Sequence, residues 1–318
     1  MNFTTPVSLK KSNQPIHYSS KIVSLGSCFA ENMGDKFDYF KFQVTTNPFG
    51  IIFNSVSIER LIYRAVHQLE FDEDDVFFYN ECWHCYEVHS VLNAHGKEEL
   101  LAHLNQTLHH FRIQIQESTH CIITYGTSWV YRLKHSNQIV ANCHKVPQSQ
   151  FEKELLSIEI IQQSIQNSVD LIRKVNPNCA FVFTISPVRH IKDGFVENQR
   201  SKSHLISALH SLLSENRFLR SEYFPSYEIM MDELRDYRFY ADDMLHPSQS
   251  AIDHIWIKFF KNYVSEVEFG QMNQIGEIQR ALKHRPFSPN SENHQKFLSN
   301  LNQKIQRIQE QLPFVQFS

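Results

Sequence analysis

Glycine is scarce in this chain of 318 residues, with 8 in all, and neither G-x-G-x-x-G nor G-x-x-x-x-G-K-[ST] occurs. The usual sequence warrants for a dinucleotide or a nucleoside triphosphate are therefore missing. H-E-x-x-H and G-x-S-x-G are also missing, which leaves a zincin or an ordinary α/β-hydrolase elbow unsupported. Nothing in these patterns calls for a cofactor. Cysteine is sparse at 6 residues, too few for a disulfide scaffold in a chain this long. With no apolar signal core in "MNFTTPVSLKKSNQPIHYSS", the expectation is reduced thiols in the cytoplasm. No run approaches the ~20 apolar residues that a membrane span needs, so no membrane partner is expected. Charge of one sign is lacking too: 31 Lys and Arg stand against 34 Asp and Glu, a formal net charge of -3. That balance disfavours nucleic acid or anionic lipid as a partner. No internal repeat is visible.

What is present is apolar substance, 42% hydrophobic residues including 25 Phe, ample for a sizeable core. Continuous β-branched runs end in Gly, Ser or Pro signals: "KIVSLGS" at 21 to 27, "CIITYGTS" at 121 to 128 and "CAFVFTISPV" at 179 to 188. Continuous rather than alternating runs fit strands buried on both faces. Helical patterns lie between them. Leu156, Ile160, Ile161, Ile165, Val169 and Ile172 recur at three- and four-residue steps across 153 to 174. A second stripe follows Pro247, with Ile252, Ile255, Trp256, Phe259, Phe260 and Val264. Alternating strand and helix predict an α/β fold of three layers, α/β/α, with a mainly parallel, doubly wound sheet. The long interval from 55 to 120 is expected to hold extra elements.

The last fifty residues differ in character. After "HRPFSPNSEN", Leu298, Leu301, Ile305, Ile308 and Leu312 form a narrow seam over about two heptads, too short for a free coiled coil. The expected organisation is a main domain over 1 to 268 and a C-terminal helical extension over 269 to 318, docked on that domain or used in a dimer contact; the chain is expected to be a monomer or a homodimer.

In a doubly wound sheet, function collects at the carboxyl ends of the strands. Ser27 follows the first apolar run and precedes "CFAENMGDKF", which reads as a helix. A serine there has its hydroxyl at the sheet rim and its N–H at a helix start, where negative charge is favoured. The plain alternative is a helix N-cap. Cys28 beside it is a rival nucleophile, since thiols carry some thiolate even unactivated; Phe29, next in line, suggests instead that the chain is entering its core. Downstream, "YADDMLHPSQSA" places Asp243 and His246 three apart just before Pro247, at the expected first turn of the apolar helix. A loop carrying both lets the carboxylate hold one imidazole nitrogen while the other faces a serine.

"LGSCFAENMG" resembles the motif of the GSCFA family, a group similar to the SGNH or GDSL hydrolase superfamily, and "DMLHPS" is similar to that superfamily's last block. "TTNPFGIIFN", "HSVL", "TYGTSWVY", "VANCHKVP" and "TISPVRHIKDGFVENQRSKSHL" extend the resemblance across most of the chain. The resemblance implies an SGNH-like hydrolase fold, Ser27 as nucleophile, His246 as base and Asp243 as its orienter, with the N–H of Gly50 completing an oxyanion hole. One block departs. Where the SGNH pattern has G-x-N-D, this chain has Gly126, Thr127, Ser128 and Trp129, so the asparagine donor is missing. Removal of one such donor typically lowers turnover about 100- to 1000-fold. Either Ser128 or an amide such as Asn47 or Asn142 is then expected to fill the gap, or activity is expected to be weak.

Other features carry less. Cys82, His84, Cys85 and His89 in "CWHCYEVH" bring zinc to mind, but contiguous residues rarely reach tetrahedral geometry; a strand of buried aromatics and thiols is the expectation, and no metal is expected. Arg189 and His190 follow the third strand run and are candidates for binding an acidic part of a substrate, as are Asn142 and His144 for substrate contact. The resulting expectation is a serine esterase or acyl hydrolase acting on a small-molecule or carbohydrate ester. A non-catalytic acyl- or glycan-binding protein and an O-acyltransferase are the alternatives.

Overall fold

The computed structural model describes residues 4–215, 218–285, 287 and 290–317. In chain order the strands and helices are β1 (Lys21–Gly26), α1 (Cys28–Tyr39), β2 (Gln43–Thr46), α2 (Ser55–His67), β3 (Val76–Tyr79), β4 (Cys82–Cys85), α3 (Lys97–Glu117), β5 (His120–Tyr125), β6 (Trp129–Leu133) and β7 (Gln138–Val140). They continue with β8 (Phe151–Leu155), α4 (Ile158–Val175), β9 (Ala180–Ile185), α5 (Phe195–Leu213), β10 (Ser221–Tyr223), the single turn α6 (Ser226–Glu228), α7 (Gln249–Tyr263), α8 (Phe269–Leu282) and α9 (Glu292–Gln311).

Five strands pair in the order β10-β9-β5-β1-β2, and every pairing is parallel. The three strands read as continuous apolar runs are the inner ones, as burial on both faces demands. Their residues alternate between two cores. Val23, Leu25, Cys121, Ile123, Phe181 and Phe183 face one that also holds Leu61, Leu104, Ile161 and Leu209 of α2, α3, α4 and α5. Ile22, Ile122 and Val182 face the other, shared with Phe29, Phe37, Trp256 and Phe259 of α1 and α7. The result is the three-layer α/β/α arrangement expected of the sequence.

The apolar seam near the C-terminus belongs to the second core. Leu301, Ile308 and Leu312 are buried there beside Met272, Ile275 and Ile278 of α8, and Ile305 packs at its margin.

Some local expectations change. The helix expected from Lys153 begins at Ile158, because the Ser157 side chain accepts from Ile160 N and caps it. Residues 151–155 instead pair with β6 in a three-stranded antiparallel sheet, β7-β6-β8. Pro247 lies ahead of α7 rather than in its first turn, the cap being Ser248, which accepts from Ala251 N. "CWHC" forms β4 of a hairpin with β3, where the buried His84 stacks on Phe77 at 5.3 Å.

Candidate functional site

The chain leaves β1 toward β2 on one side and later enters β5 on the other, so the strand order reverses between β1 and β5. Open parallel sheets place ligands in the crevice outside the carboxyl ends of such a pair. Ser27 follows β1 there and Gly126 follows β5. Gly26 allows the chain to turn: its φ is 131°, and a Cβ on it would fall 2.0 Å from Thr124 O. Gly126 permits close approach, since a Cβ there would lie 3.3 Å from Ser27 Cβ and 2.9 Å from Phe53 Cδ1.

Ser27 is fully buried and serves as the N-cap of α1, accepting from Phe29 N at 3.3 Å. The capping role expected as the plain alternative is therefore present. Cys28, the first residue of α1, is partly exposed, and its thiol is pushed up by burial first and by Glu31 second. That is the opposite of the electropositive setting a working thiolate requires.

Asp243 and His246 lie on a loop closed by Ala241 N donating to His246 O at 2.8 Å and Ser248 N to Phe239 O at 2.8 Å. Met244 takes a φ of 58° at its tip. Asp243 Oδ1 accepts from Leu245 N at 2.8 Å and His246 N at 3.0 Å, and Oδ2 lies 2.5 Å from His246 Nδ1. Those backbone N–H groups, then the imidazole, hold the Asp243 carboxyl down to about 2. A carboxylate on Nδ1 makes that nitrogen the protonated one and leaves Nε2 as the free acceptor. Among the described residues no hydrogen bond joins His246 to Ser27.

Arg189 binds this loop to the end of β9. Its N–H donates to Leu245 O at 3.3 Å, its guanidinium donates to Met244 O, and it lies 4.1 Å from the centre of the Tyr240 ring. Next to it, His190 packs edge-on to Phe53 at 5.2 Å. Burial, then the charges of Lys202 and His246, hold its imidazole down to about 3.

The expected oxyanion donors fare differently. Ser27 N–H donates to Thr124 O at 3.0 Å and Gly50 N–H to Asn47 O at 2.7 Å; both amides are already engaged, which corrects the expectation that they are open to a ligand. The Ser128 hydroxyl donates to Ser201 O at 2.7 Å, so it docks α5 instead of facing the crevice. Asn47 is the exception. Its Oδ1 accepts from Gly26 N at 2.8 Å, while its Nδ2 is buried with no partner among the described residues, and it shares a small, mostly apolar cavity with Gly26 and Gly50.

Asn142 and His144 bond to each other and to the end of β4. Asn142 Oδ1 accepts from His144 N at 2.8 Å. The buried His144 bonds Cys85 O through Nε2 at 2.7 Å, its ring is 4.9 Å from that of His84, and burial first holds it down to about 4. No hydrogen bond among the described residues ties either to Ser27 or His246.

Sequence reasoning missed Lys202. It is fully buried on α5, and its Nζ donates to Gly126 O at 2.7 Å and Ser186 O at 2.7 Å, carbonyls just past the ends of β5 and β9. The signal was available: Asn198, Ser201, Lys202, Leu205, Leu209 and Leu212 form one buried stripe at helical spacing, with a cation in its middle.

A family model, the GSCFA family, matches residues 21–259. The chain belongs to the GSCFA family. A second model, the GSCFA domain protein C-terminal domain, matches residues 275–318, the stretch holding α9 and most of α8. No curated protein matches the chain. In this GSCFA chain the family's naming residues, Gly26 to Ala30, are the end of β1, the Ser27 cap and the first residues of α1.

Proposed function

We propose that the chain is a serine hydrolase of esters, with Ser27 as nucleophile, His246 as base and Asp243 as the partner of its imidazole. One observation carries the reading. The Asp243–His246 pair is preformed, with Nδ1 held and Nε2 in no hydrogen bond with any described residue, on a loop that Arg189 ties to the strand ends. The resemblance of "LGSCFAENMG" and "DMLHPS" to SGNH hydrolase blocks points the same way.

In the proposed reaction Ser27 Oγ bonds to the ester carbonyl carbon, its proton passes to His246 Nε2, and the carbonyl π pair moves onto oxygen. Collapse restores the C=O bond and breaks the bond to the alcohol oxygen, which takes the proton from His246. Water repeats the sequence on the acyl-serine, releasing the acid and restoring Ser27. A sugar hydroxyl in place of water would give acyl transfer through the same residues. The carboxylate of Asp243, held anionic down to about pH 2, stabilises the imidazolium formed in each half. The free Nδ2 of Asn47 is the side-chain donor assigned to the oxyanion, in place of the missing asparagine.

The complete burial of Ser27 and the engagement of two of the expected amides favour a second reading, a binding protein that holds an acyl or glycan ligand without turnover. Hydrolysis of p-nitrophenyl acetate separates the two. The wild type should turn over, and Ser27→Ala and His246→Ala should not. Equal rates in all three proteins would dismiss the serine hydrolase.

A further inference from the structure

Lys202 presents an unusual arrangement. A lysine with no exposed surface lies among carbonyls rather than carboxylates and makes no ion pair with any described residue. A buried ammonium without a counter-ion is strongly disfavoured, and burial accordingly lowers this one to about 7, with Cys28 opposing weakly. Two of its hydrogens are fixed on Gly126 O and Ser186 O, and the Tyr227 ring centre lies 5.5 Å from Nζ. The structure invests several groups in this placement. Thr127 and Ser128, the residues standing where the resemblance expects the asparagine block, both bind Ser201: Thr127 Oγ1 lies 2.9 Å from Ser201 Oγ, and Ser128 N donates to that same oxygen at 2.7 Å. With the Ser128 hydroxyl on Ser201 O, three bonds fix the residue immediately before Lys202. The polar side chains of that block thus deliver a cation to the strand ends instead of delivering an amide.

We propose that Lys202 is the positioning residue for charge in this centre: its buried ammonium stabilises the oxyanion formed at Ser27, and its bond to Gly126 O holds that glycine against Ser27. The role rests on the serine-hydrolase reading above. The titratable groups near Lys202 are Cys28 on α1, Tyr227 on α6 and His190 after β9. None supplies a negative charge at neutral pH, so the anion that completes the site is the one made in the reaction. A fixed charge several ångströms away in a site of low dielectric corresponds to roughly 10- to 100-fold in rate.

The test compares the wild type, Lys202→Met, Lys202→Gln and Ser27→Ala in the rate of fluorophosphonate labelling and in p-nitrophenyl acetate hydrolysis between pH 5 and 9. Lys202→Met should label and turn over roughly 10- to 100-fold more slowly with KM nearly unchanged. The wild-type rate should fall on the basic side as the ammonium loses its proton, and that limb should vanish in the variant. Lys202→Gln keeps a donor for one carbonyl without the charge; where Lys202→Met does not fold, it should show the same loss and the same flattened profile. Wild-type kcat in either folded variant overturns the proposal while leaving Ser27 in place. So does a rate loss that leaves the basic limb intact. No labelling of the wild type removes the serine-hydrolase reading and this role together.

Discussion

Replacing Asp243 with Asn examines the site through one atom. The Asn Oδ1 retains the two backbone bonds that Asp243 Oδ1 accepts from Leu245 N and His246 N, so the loop keeps its shape. What changes is the group opposite His246 Nδ1, now 2.5 Å from a carboxylate oxygen. An amide nitrogen there can only donate, so the imidazole turns Nδ1 into its acceptor and carries its proton on Nε2. The nitrogen that should take the Ser27 proton is then already protonated, and no carboxylate remains to stabilise the imidazolium. A tautomer error of this kind is worth about 10⁴ in turnover in a serine triad. The loop is exposed and both backbone bonds persist, so stability should change by no more than about 1 kcal/mol. The assay is p-nitrophenyl acetate hydrolysis beside a thermal melt followed by circular dichroism. Activity within a few-fold of the parent would remove Asp243 from the mechanism, and a collapsed melt would assign it a structural role instead.

Further expectations follow from the same geometry. Gly26→Ala should fail to fold or melt far below the parent in a thermal scan, since its Cβ would sit 2.0 Å from Thr124 O at a φ of 131°; an unchanged melt would mean that the β1-to-α1 turn can relax. Truncation after Arg285 removes Leu301, Ile308, Leu312 and Val315 from the second core, each worth about 1.5–3 kcal/mol of burial, and a preserved Tm would show that α9 does not hold the core. Lys202 has a folded-state pKa lowered to about 7 from an unfolded value of about 10.4, so between those values the unfolded state binds the extra proton. Wild-type stability relative to Lys202→Met should therefore rise with pH from 7 upward, by at most about 1.4 kcal/mol per unit. Denaturant melts at pH 6.5 and 8.5 with the same difference between the two proteins would contradict that burial.

Much of the architecture was legible because it rests on period and punctuation. The runs at 21 to 27, 121 to 128 and 179 to 188 are apolar on both faces, and only an inner parallel strand needs that. The edge strands β2 and β10 were missed for the converse reason: each is half-buried along its length, so neither carries a continuous apolar run. The end of β8, from Lys153, falls inside the helical pattern because Leu156 continues the spacing of Ile160 and Ile161, although Ser157 caps the helix behind it. At the site, Ser27, Asp243 and His246 stand at junctions that local sequence marks. The state of an amide is different. Whether the N–H of Ser27 or Gly50 is open depends on Thr124 O and Asn47 O, partners set by the strand ladder and the turn, which no motif records. Lys202 carries no local mark, because helical lysines are almost always exposed and its burial depends on the distant carbonyls of Gly126 and Ser186.

The central claim, that Ser27 is the nucleophile, is tested most directly by locating the adduct. The full-length chain is treated with a fluorophosphonate, digested, and the modified peptide sequenced by mass spectrometry. The adduct is expected on Ser27, in the peptide containing "IVSLGSCFAENMGDK", and is expected to disappear in His246→Ala while persisting in Cys28→Ala. An unmodified Ser27, or an adduct carried by Cys28, would contradict the assignment.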